Sequence, residues 1–218
     1  MQSCLPGDTR SVNPVLRQVS NTGAVVTEIQ DMLLAEEADY LVKNAPTPVR
    51  SSVMGKDGKS EFSRVRTSST AHMPRGSDPV ISCIENRIAT ISGQPGTHLE
   101  PLQVTDYKHK QKYDPHHDYF GNKTAQSGRG ERTTTVFAYL KDDMLAHGSC
   151  GGATAFPKLR DLGGEPLRVF PKKGNAVMWS NRTLDGKVNA RTLHGGEAIT
   201  CPQAHKIGLN AWFRDQPW

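Results

Sequence analysis

From residue 99 onward the chain is a succession of short segments with strand character, and this pattern limits the fold more than any other feature. Turns rich in glycine, proline, asparagine and aspartate separate the segments, which we place at residues 102–107, 112–120, 133–140, 154–157, 167–171, 176–179, 191–194 and 206–214. Many short strands joined by such turns are typical of sandwiches and barrels. We therefore expect a double-sheet barrel or a jelly roll, that is, a double-stranded β-helix, as the core of this protein.

The first hundred residues carry the helical signals. Apolar residues recur at helical spacing over residues 35–45, until prolines end the pattern. Asp78 and Pro79 are typical of an N-cap and a first helical residue, and Gly93 is typical of a helix end. A further strand is expected at residues 64–70. The fold class is thus α+β and mainly β, with the N-terminal helices packed on one face of the jelly-roll core.

Domain organisation follows from the same composition. Residues 1–20 are polar, contain two prolines and show no regular period, so we expect a loose N-terminal arm there. Residues 21–218 are enough for a single domain with its own core. Two polar loops that contain glycine, residues 55–61 and 121–131, pack poorly by composition, so we expect both to be mobile and the first to act as a flap.

Charge and hydropathy exclude several classes of protein. The net charge is +5, but no stripe of Lys and Arg alternates with aromatic residues, so we expect no nucleic-acid partner. No apolar run approaches the roughly 20 residues that span a bilayer. The first residues contain no apolar signal-peptide segment. We expect the cytoplasm by default, with the lumen of the endoplasmic reticulum as the alternative if a leader has been trimmed away.

The four cysteines, Cys4, Cys83, Cys150 and Cys201, lie far apart in the sequence. None belongs to a CxxC pair of the kind that binds zinc, and four cysteines are few for a disulfide framework in a chain of this length. We expect four free thiols, and the state of the last two stays open.

One short motif carries candidate chemistry. His116 and Asp118 are two apart, so in a strand their side chains point to the same face. A carboxylate and two imidazoles form the facial set that binds Fe(II) and leaves positions open for oxygen chemistry. The alternative is a strand histidine paired with a neighbouring acid. His98 and Glu100 form a competing pair of the same type, so the motif alone is a hypothesis.

The last predicted strand alternates between two kinds of side chain. One face has the apolar residues Ile207, Leu209, Ala211 and Phe213, and the other begins with Lys206 and continues to Trp212. Lys206 is therefore either a surface residue or a cation inside a barrel mouth that requires an anion.

Taken in order, the motifs resemble those of the prolyl 4-hydroxylases, which are Fe(II)- and 2-oxoglutarate-dependent dioxygenases. The resemblance covers residues 25–214. Several motifs match in the same order, in addition to the His-x-Asp pair, and together they are a stronger signal than any one motif. The matching segments are Arg66, Ser68, the helix from Asp78, Tyr107, and residues 111–113, 115–120, 132–140, 151–157, 171–176, 193–196 and 206–214.

The resemblance implies a role for each matching residue. His116, Asp118 and His194 would be the iron ligands, Lys206 would pair with the distal carboxylate of 2-oxoglutarate, and Tyr107 and Thr154 would hydrogen-bond the same cosubstrate, with Arg132 and Trp212 near the peptide. His98 and Glu100 fall outside the motif. The spacing from His194 to Lys206 is two residues longer than is usual in the family, so His205 is an alternative anchor.

The implied activity is that of a procollagen-proline 4-dioxygenase-like enzyme. It would hydroxylate peptidyl proline with Fe(II), 2-oxoglutarate and O2, release succinate and CO2, and use ascorbate as a reductant. Its partner would be a proline-rich peptide or protein, and its oligomeric state is open. The alternatives are a 2-oxoglutarate oxygenase acting on another residue or a small molecule, and a non-catalytic jelly-roll binding module.

Overall fold

A computed structural model describes residues 1–20, 22–54, 60–62, 65–121, 130–143, 145 and 148–218. Most of the two predicted mobile loops, residues 55–61 and 121–131, lies outside the described residues, so the flap hypothesis stays a prediction.

The described strands are β1 (Val15–Ser20), β2 (Val26–Gln30), β3 (Val49–Arg50), β4 (Ser52–Met54), β5 (Ser60–Phe62), β6 (Ser69–Met73), β7 (Leu102–Tyr107), β8 (Tyr113–His116), β9 (Arg132–Asp143), β10 (Thr154–Arg160), β11 (Pro166–Val169), β12 (Ala176–Ser180), β13 (His194–Gly196) and β14 (His205–Arg214). The α-helices are α1 (Ala35–Asn44) and α2 (Pro79–Ser92). Short 3-10 helices cover Gly96–His98 and Ala190–Thr192.

The strands form two main antiparallel sheets, which confirms the predicted jelly roll. In the described residues the larger sheet has the order β1-β2-β12-β9-β14-β7-β6-β3, and the smaller has the order β11-β10-β13-β8. Strands β4 and β5 pair separately. The central pairs join segments far apart in the sequence, such as β9 with β14. This arrangement leaves one face of the larger sheet for the helices and the other for the smaller sheet.

Both predicted helices form where their local signals place them. The Asp78 side chain accepts a hydrogen bond from the Ile81 amide, and Gly93 ends α2 in the left-handed conformation, with φ of 66°. Such caps satisfy backbone groups that a helix end leaves without partners. Leu41 of α1 and Ile84 of α2 are buried in the same core as the apolar face of the larger sheet. The prediction of helices packed on one face is therefore confirmed.

Strand β14 shows the predicted alternation. Ile207, Leu209, Ala211 and Phe213 lie in the apolar core beneath the helices. The opposite face places Lys206, Asn210 and Trp212 in a cavity between the sheets. Gly208 lies between them, and a Cβ there would stand 2.2 Å from the Phe137 ring. Only glycine therefore lets Phe137 reach the cavity.

Three predicted strands end differently in the structure. The strand expected at residues 112–120 stops at His116, and in the described part of the strand expected at 64–70, which begins at residue 65, β6 starts only at Ser69. Of the strand expected at residues 191–194, only His194 is in a strand, the start of β13, because the Thr192 amide donates to the Asn189 carbonyl and forms a tight turn just before it. Local alternation had indicated strands in all three places, but the pairing between segments, which it does not indicate, decided their ends.

The prediction of free thiols is wrong. Cys4 is bonded to Cys83 and Cys150 to Cys201, across 79 and 51 residues of sequence respectively. Spacing along the chain could not indicate these pairs, because the fold alone brings the partners together.

The N-terminal segment makes several contacts with the rest of the protein. Strand β1 pairs with β2, and Cys4 is bonded to Cys83 on α2. The expected looseness of residues 1–20 does not match these contacts, and the division of the chain at residue 20 stays a prediction. Within the described part, neither helix is long and apolar enough to cross a membrane.

Candidate active site

A cavity of about 400 Å³ lies between the two sheets. Strands β7, β9 and β14 of the larger sheet and β8, β10 and β13 of the smaller sheet all contribute side chains to it. Every candidate site residue predicted from the sequence lines this cavity, namely Tyr107, His116, Asp118, Arg132, Thr154, His194, Lys206 and Trp212.

His116, Asp118 and His194 form the one cluster among the described residues that could hold a metal ion. Their ligand atoms all lie within 4.8 Å of one another. The Nε2 atoms of His116 and His194 are 3.6 and 3.5 Å from the nearer oxygens of Asp118. Pairing of β8 with β13 places His116 directly opposite His194. Asp118 lies beyond the end of β8, so the turn there, and not strand alternation, brings its carboxylate to the histidines.

The backbone orients both imidazoles. His116 Nδ1 lies 2.9 Å from the Asp114 carbonyl, and His194 Nδ1 lies 2.9 Å from the Thr192 carbonyl. A carbonyl only accepts, so each Nδ1 carries the proton and each Nε2 presents a lone pair to the cluster. Fixing the tautomer in this way is typical of histidines that bind metal.

The charge states also suit a cation. Burial lowers the pKa of His194 to about 4, although Asp118 opposes that shift, so the ring is neutral near pH 7. Burial alone would raise the pKa of Asp118, but the neighbouring His194 and His116 rings outweigh it and hold the pKa well below its usual range. Two imidazoles and one carboxylate are the donor set that non-haem Fe(II) oxygenases use, so the residues fit this metal.

Lys206 is a fully buried cation in the cavity. Its side chain is 1% exposed, and its Nζ donates to the Gly152 carbonyl at 2.7 Å. Burial lowers its pKa to about 8, which Glu197 opposes. Among the described residues it has no ion-pair partner, and an ammonium group has three N–H donors. A buried charge of this kind requires an anion.

The residues around Lys206 fit the same anion. Tyr107 lies with its ring centroid 4.7 Å from Lys206 Nζ, and burial raises the pKa of its phenol, which therefore stays protonated. The Thr154 hydroxyl is 2.9 Å from the Tyr139 hydroxyl. His205, the alternative anchor, contacts Asp106 at 2.7 Å and does not line the cavity.

Arg132 and Trp212 form another side of the cavity. The guanidinium of Arg132 lies 3.6 Å from the Trp212 ring centroid and makes a bidentate pair with Glu100, at 2.7 and 2.8 Å. Trp212 Nε1 is buried and has no hydrogen-bond partner in the described part of the chain. Glu100 is thus occupied by arginine, and His98 Nδ1 contacts the Arg214 carbonyl. The competing His98 and Glu100 pair is therefore outside the metal cluster.

Sequence reasoning missed several polar residues that line or support the cavity. Gln103 is buried on β7, where it accepts hydrogen bonds from Arg66 at 2.8 Å and Asn210 at 3.2 Å. Tyr113 stacks on His116 with ring centroids 3.6 Å apart. A polar residue such as Gln103 inside an apolar strand was a usable signal, because buried polar groups require partners.

Comparison with known proteins bears on the chemistry. The model of the 2OG-Fe(II) oxygenase superfamily matches residues 102–214. Prolyl 4-hydroxylase 5 of Arabidopsis thaliana is 36% identical over 195 residues, which cover 84% of this chain and 66% of that relative. Prolyl 4-hydroxylase 2 of the same plant is 35% identical over 232 residues, which cover 97% of this chain and 74% of that relative. The chain thus spans about two thirds to three quarters of these relatives.

Solved structures share the fold. A viral collagen prolyl hydroxylase from Paramecium Bursaria Chlorella virus-1, solved with 2OG, aligns with a TM-score of 0.66 at 24% identity, over 87% of this chain and 95% of that one. A Pseudomonas putida prolyl-4-hydroxylase aligns with a TM-score of 0.57 at 16% identity, over 87% and 92% of the two chains. At these identities the likeness concerns the fold alone.

Proposed function

The chain belongs to the 2OG-Fe(II) oxygenase superfamily and, within it, to the prolyl 4-hydroxylase family, so we propose that it hydroxylates peptidyl proline. The cofactors are Fe(II) and 2-oxoglutarate. The observation that carries the proposal is one cavity that contains both the cluster of His116, Asp118 and His194 and the buried Lys206.

Fe(II) would be held by the two Nε2 atoms and the Asp118 carboxylate. Fe(II) and 2-oxoglutarate together supply the chemistry, in which O2 converts 2-oxoglutarate to succinate and CO2 and the second oxygen atom enters a C–H bond. Ascorbate would serve as the reductant. The protein contributes orientation of the ligands, exclusion of water and fixed tautomers of His116 and His194.

Lys206 would bind the distal carboxylate of 2-oxoglutarate. It has N–H donors beyond the one that it gives to the Gly152 carbonyl, and a buried ammonium forms a strong charge-assisted hydrogen bond with a carboxylate. Tyr107 and Thr154 line the same cavity, and their hydroxyls would donate to the cosubstrate.

The peptide would lie against Arg132 and Trp212. The Nε1–H of Trp212, which has no partner among the described residues, is suited to donate to a peptide carbonyl, and the indole face offers apolar area to a proline ring. A proline-rich peptide is already extended as polyproline II, so it loses little conformational entropy on binding.

The two disulfides support an oxidising compartment, such as the secretory pathway, because cysteines of most cytosolic proteins are kept reduced. This compartment replaces the cytoplasm as our proposal. Mass spectrometry of the protein isolated from its native cells, with free thiols alkylated before reduction, would detect the Cys150–Cys201 pair if the proposal is correct.

The proposed function is tested with purified protein, Fe(II), 2-oxoglutarate, ascorbate and a polyproline peptide. We expect succinate formation together with a peptide mass increase of one oxygen atom. His116→Ala, Asp118→Ala and His194→Ala should each abolish both, because two remaining ligands hold Fe(II) poorly. His109→Ala, in a histidine outside the cavity, is the matched control and should retain both.

The outcomes separate the alternatives. Succinate formation with every proline peptide unmodified would replace the prolyl assignment with another substrate. No 2-oxoglutarate turnover by the intact protein under any condition would favour a non-catalytic binding module. Near-normal turnover by a triad variant would mean that the ligand assignment is wrong.

A further inference from the structure

A chain of buried hydrogen bonds leads to Asp118 from residues outside the metal cluster. The Thr135 hydroxyl donates to Asp118 Oδ2 at 2.7 Å. Asn181 Nδ2 donates to the Thr135 hydroxyl at 3.0 Å, and Asn181 Oδ1 accepts from Trp179 Nε1 at 3.1 Å. The donors therefore point one way, from Trp179 through Asn181 and Thr135 to the carboxylate.

The same chain continues to the second histidine through the backbone. The Asn189 amide donates to the Asn181 carbonyl at 2.8 Å. The Thr192 hydroxyl donates to the Asn189 carbonyl at 2.8 Å, and the Thr192 carbonyl accepts from His194 Nδ1. Asp118 and His194 are thus joined by a continuous hydrogen-bonded path that passes through Asn181.

The side chains of this path are buried, so each of its hydrogen bonds requires a partner within the protein. Thr135 and Asn181 are 0% exposed, so water cannot replace a missing partner. Hydrogen bonds that run in one direction in a low-dielectric interior also strengthen one another. The Trp179 ring lies 4.5 Å from the His194 ring, so the residue that starts the chain also contacts the other metal ligand.

We propose that Thr135 and Asn181 are positioning residues for the metal centre. They hold the Asp118 carboxylate at a fixed angle to the His194 imidazole before the metal binds. Thr135 occupies Oδ2 of Asp118 and so restricts rotation of the carboxylate. The proposal rests on the proposed role of His116, Asp118 and His194 as metal ligands. Loss of such an outer hydrogen bond typically weakens metal binding by about 10- to 100-fold.

The test is calorimetric titration of the apoprotein with Mn(II), without 2-oxoglutarate and without turnover. Thr135→Val keeps the shape and removes the hydroxyl, so we expect Mn(II) binding to weaken by about 10- to 100-fold. Thr135→Ser restores the hydroxyl and should restore binding to within about threefold of the intact protein. Thr105→Val is the matched control, because the Thr105 hydroxyl is buried without a partner in the described residues. It should bind Mn(II) normally.

Two further measurements keep the proposal testable if Thr135→Val folds poorly. Trp179→Phe keeps a ring beside His194 but removes the N–H that Asn181 accepts, and it should weaken Mn(II) binding several-fold. The visible spectrum of the Co(II)-loaded Thr135→Ser protein should match that of the intact protein, and that of Trp179→Phe should differ from it.

The outcomes distinguish this proposal from the one on which it rests. If the intact protein binds no Mn(II), or binds it equally well after His116→Ala, the proposed function fails. If the intact protein binds Mn(II) through the triad but Thr135→Val and Trp179→Phe bind it equally well, the positioning role is overturned. Equal weakening by Thr105→Val would also overturn it, because the effect would then not depend on the path to Asp118.

Discussion

Two regions of this protein contain the same pair of devices, a disulfide and a buried arginine–glutamate cluster, and use them differently. The helical base, formed by the N-terminal segment, α1 and α2, contains Cys4–Cys83 and Glu37 with Arg87. The region beside the cavity contains Cys150–Cys201, which packs with Tyr107, and Glu100, which pairs with Arg132; Tyr107 and Arg132 themselves line the cavity. Comparing them separates interactions that serve the fold from those that serve the site.

In the helical base the polar groups are satisfied inside the protein. Each carboxylate oxygen of Glu37 accepts one backbone amide and one nitrogen of Arg87. The terminal nitrogens of Arg87 also donate to the carbonyls of Met32 and Gln2. Neither Glu37 nor Arg87 lines the active-site cavity. The cluster joins three segments and leaves little capacity for a ligand.

In the region beside the cavity, by contrast, several N–H donors have no acceptor among the described residues. Glu100 accepts from Arg132 and Arg214, but the second terminal nitrogen of Arg132 has no acceptor in the described part of the protein. Trp212 and Lys206 line the cavity as well, and both have N–H donors without an acceptor among the described residues. In this protein, the buried ion pair with a terminal nitrogen that lacks an acceptor among the described residues lies at the binding cavity, whereas the ion pair whose terminal nitrogens all have acceptors connects structural elements.

The largest expected effect is in the helical base. Glu37→Gln leaves the buried Arg87 without its counter-charge, and breaking such a pair costs about 3–5 kcal/mol of unfolding free energy. Denaturant titration should show this loss, while the affinities of the folded protein for 2-oxoglutarate and peptide stay unchanged. A loss below about 1 kcal/mol, or a change in either affinity, would contradict the comparison.

The second-largest expected effect is the loss of a disulfide. Replacing either pair with serine should lower the unfolding free energy by about 2–4 kcal/mol. Only loss of Cys150–Cys201 should also weaken 2-oxoglutarate binding, because Cys150 packs in the apolar cluster of Tyr107 and lies two residues from the carbonyl that binds Lys206. Equal 2-oxoglutarate affinities for both double variants would remove the functional distinction.

Lys206→Ala should raise the KM for 2-oxoglutarate by an order of magnitude or more. A charge-assisted hydrogen bond contributes about 1.5–3 kcal/mol to binding. Lys206→Arg should rescue part of the loss. His205→Ala is the neighbouring control. If it raised the steady-state KM for 2-oxoglutarate more than Lys206→Ala does, the distal carboxylate would be assigned to His205 instead.

Glu100→Gln should act on the peptide. Weakening its pair with Arg132 releases the guanidinium from the Trp212 ring, so the peptide KM should rise by about tenfold, on the order of 1.4 kcal/mol. Decarboxylation of 2-oxoglutarate without peptide should continue at the normal rate. If peptide hydroxylation and decarboxylation without peptide were lost to the same extent, this cluster would serve the fold, like its counterpart in the helical base.

The last effect is a pH dependence, which requires no substitution. The pKa of Lys206 is about 8 before the cosubstrate binds, and only the ammonium form attracts a carboxylate. Binding therefore takes up a proton above pH 8, and the affinity for 2-oxoglutarate should fall by at most about tenfold per pH unit there and stay constant below. Direct binding measurements from pH 7 to pH 9.5 check this, and Lys206→Arg should abolish the slope.

Several features could be predicted because their causes are local. The cap residues Asp78 and Gly93 ended α2 as expected, since the hydrogen bonds of a cap join residues three to five apart. The two faces of β14 were predicted correctly for the same reason, because alternation is a property of the strand itself. His116 and Asp118 were found by their spacing, although a turn and not a strand brings the carboxylate round.

What the sequence by itself determined is therefore the candidate metal-binding residues, the apolar faces and the helix ends. The tertiary structure alone decided the partners of buried groups, such as Cys4 with Cys83, Glu37 with Arg87, and Thr135 with Asp118. Each pair joins segments that only strand pairing and helix packing bring together. A buried polar side chain must find a partner, but its sequence position carries no information on which segment will pass beside it.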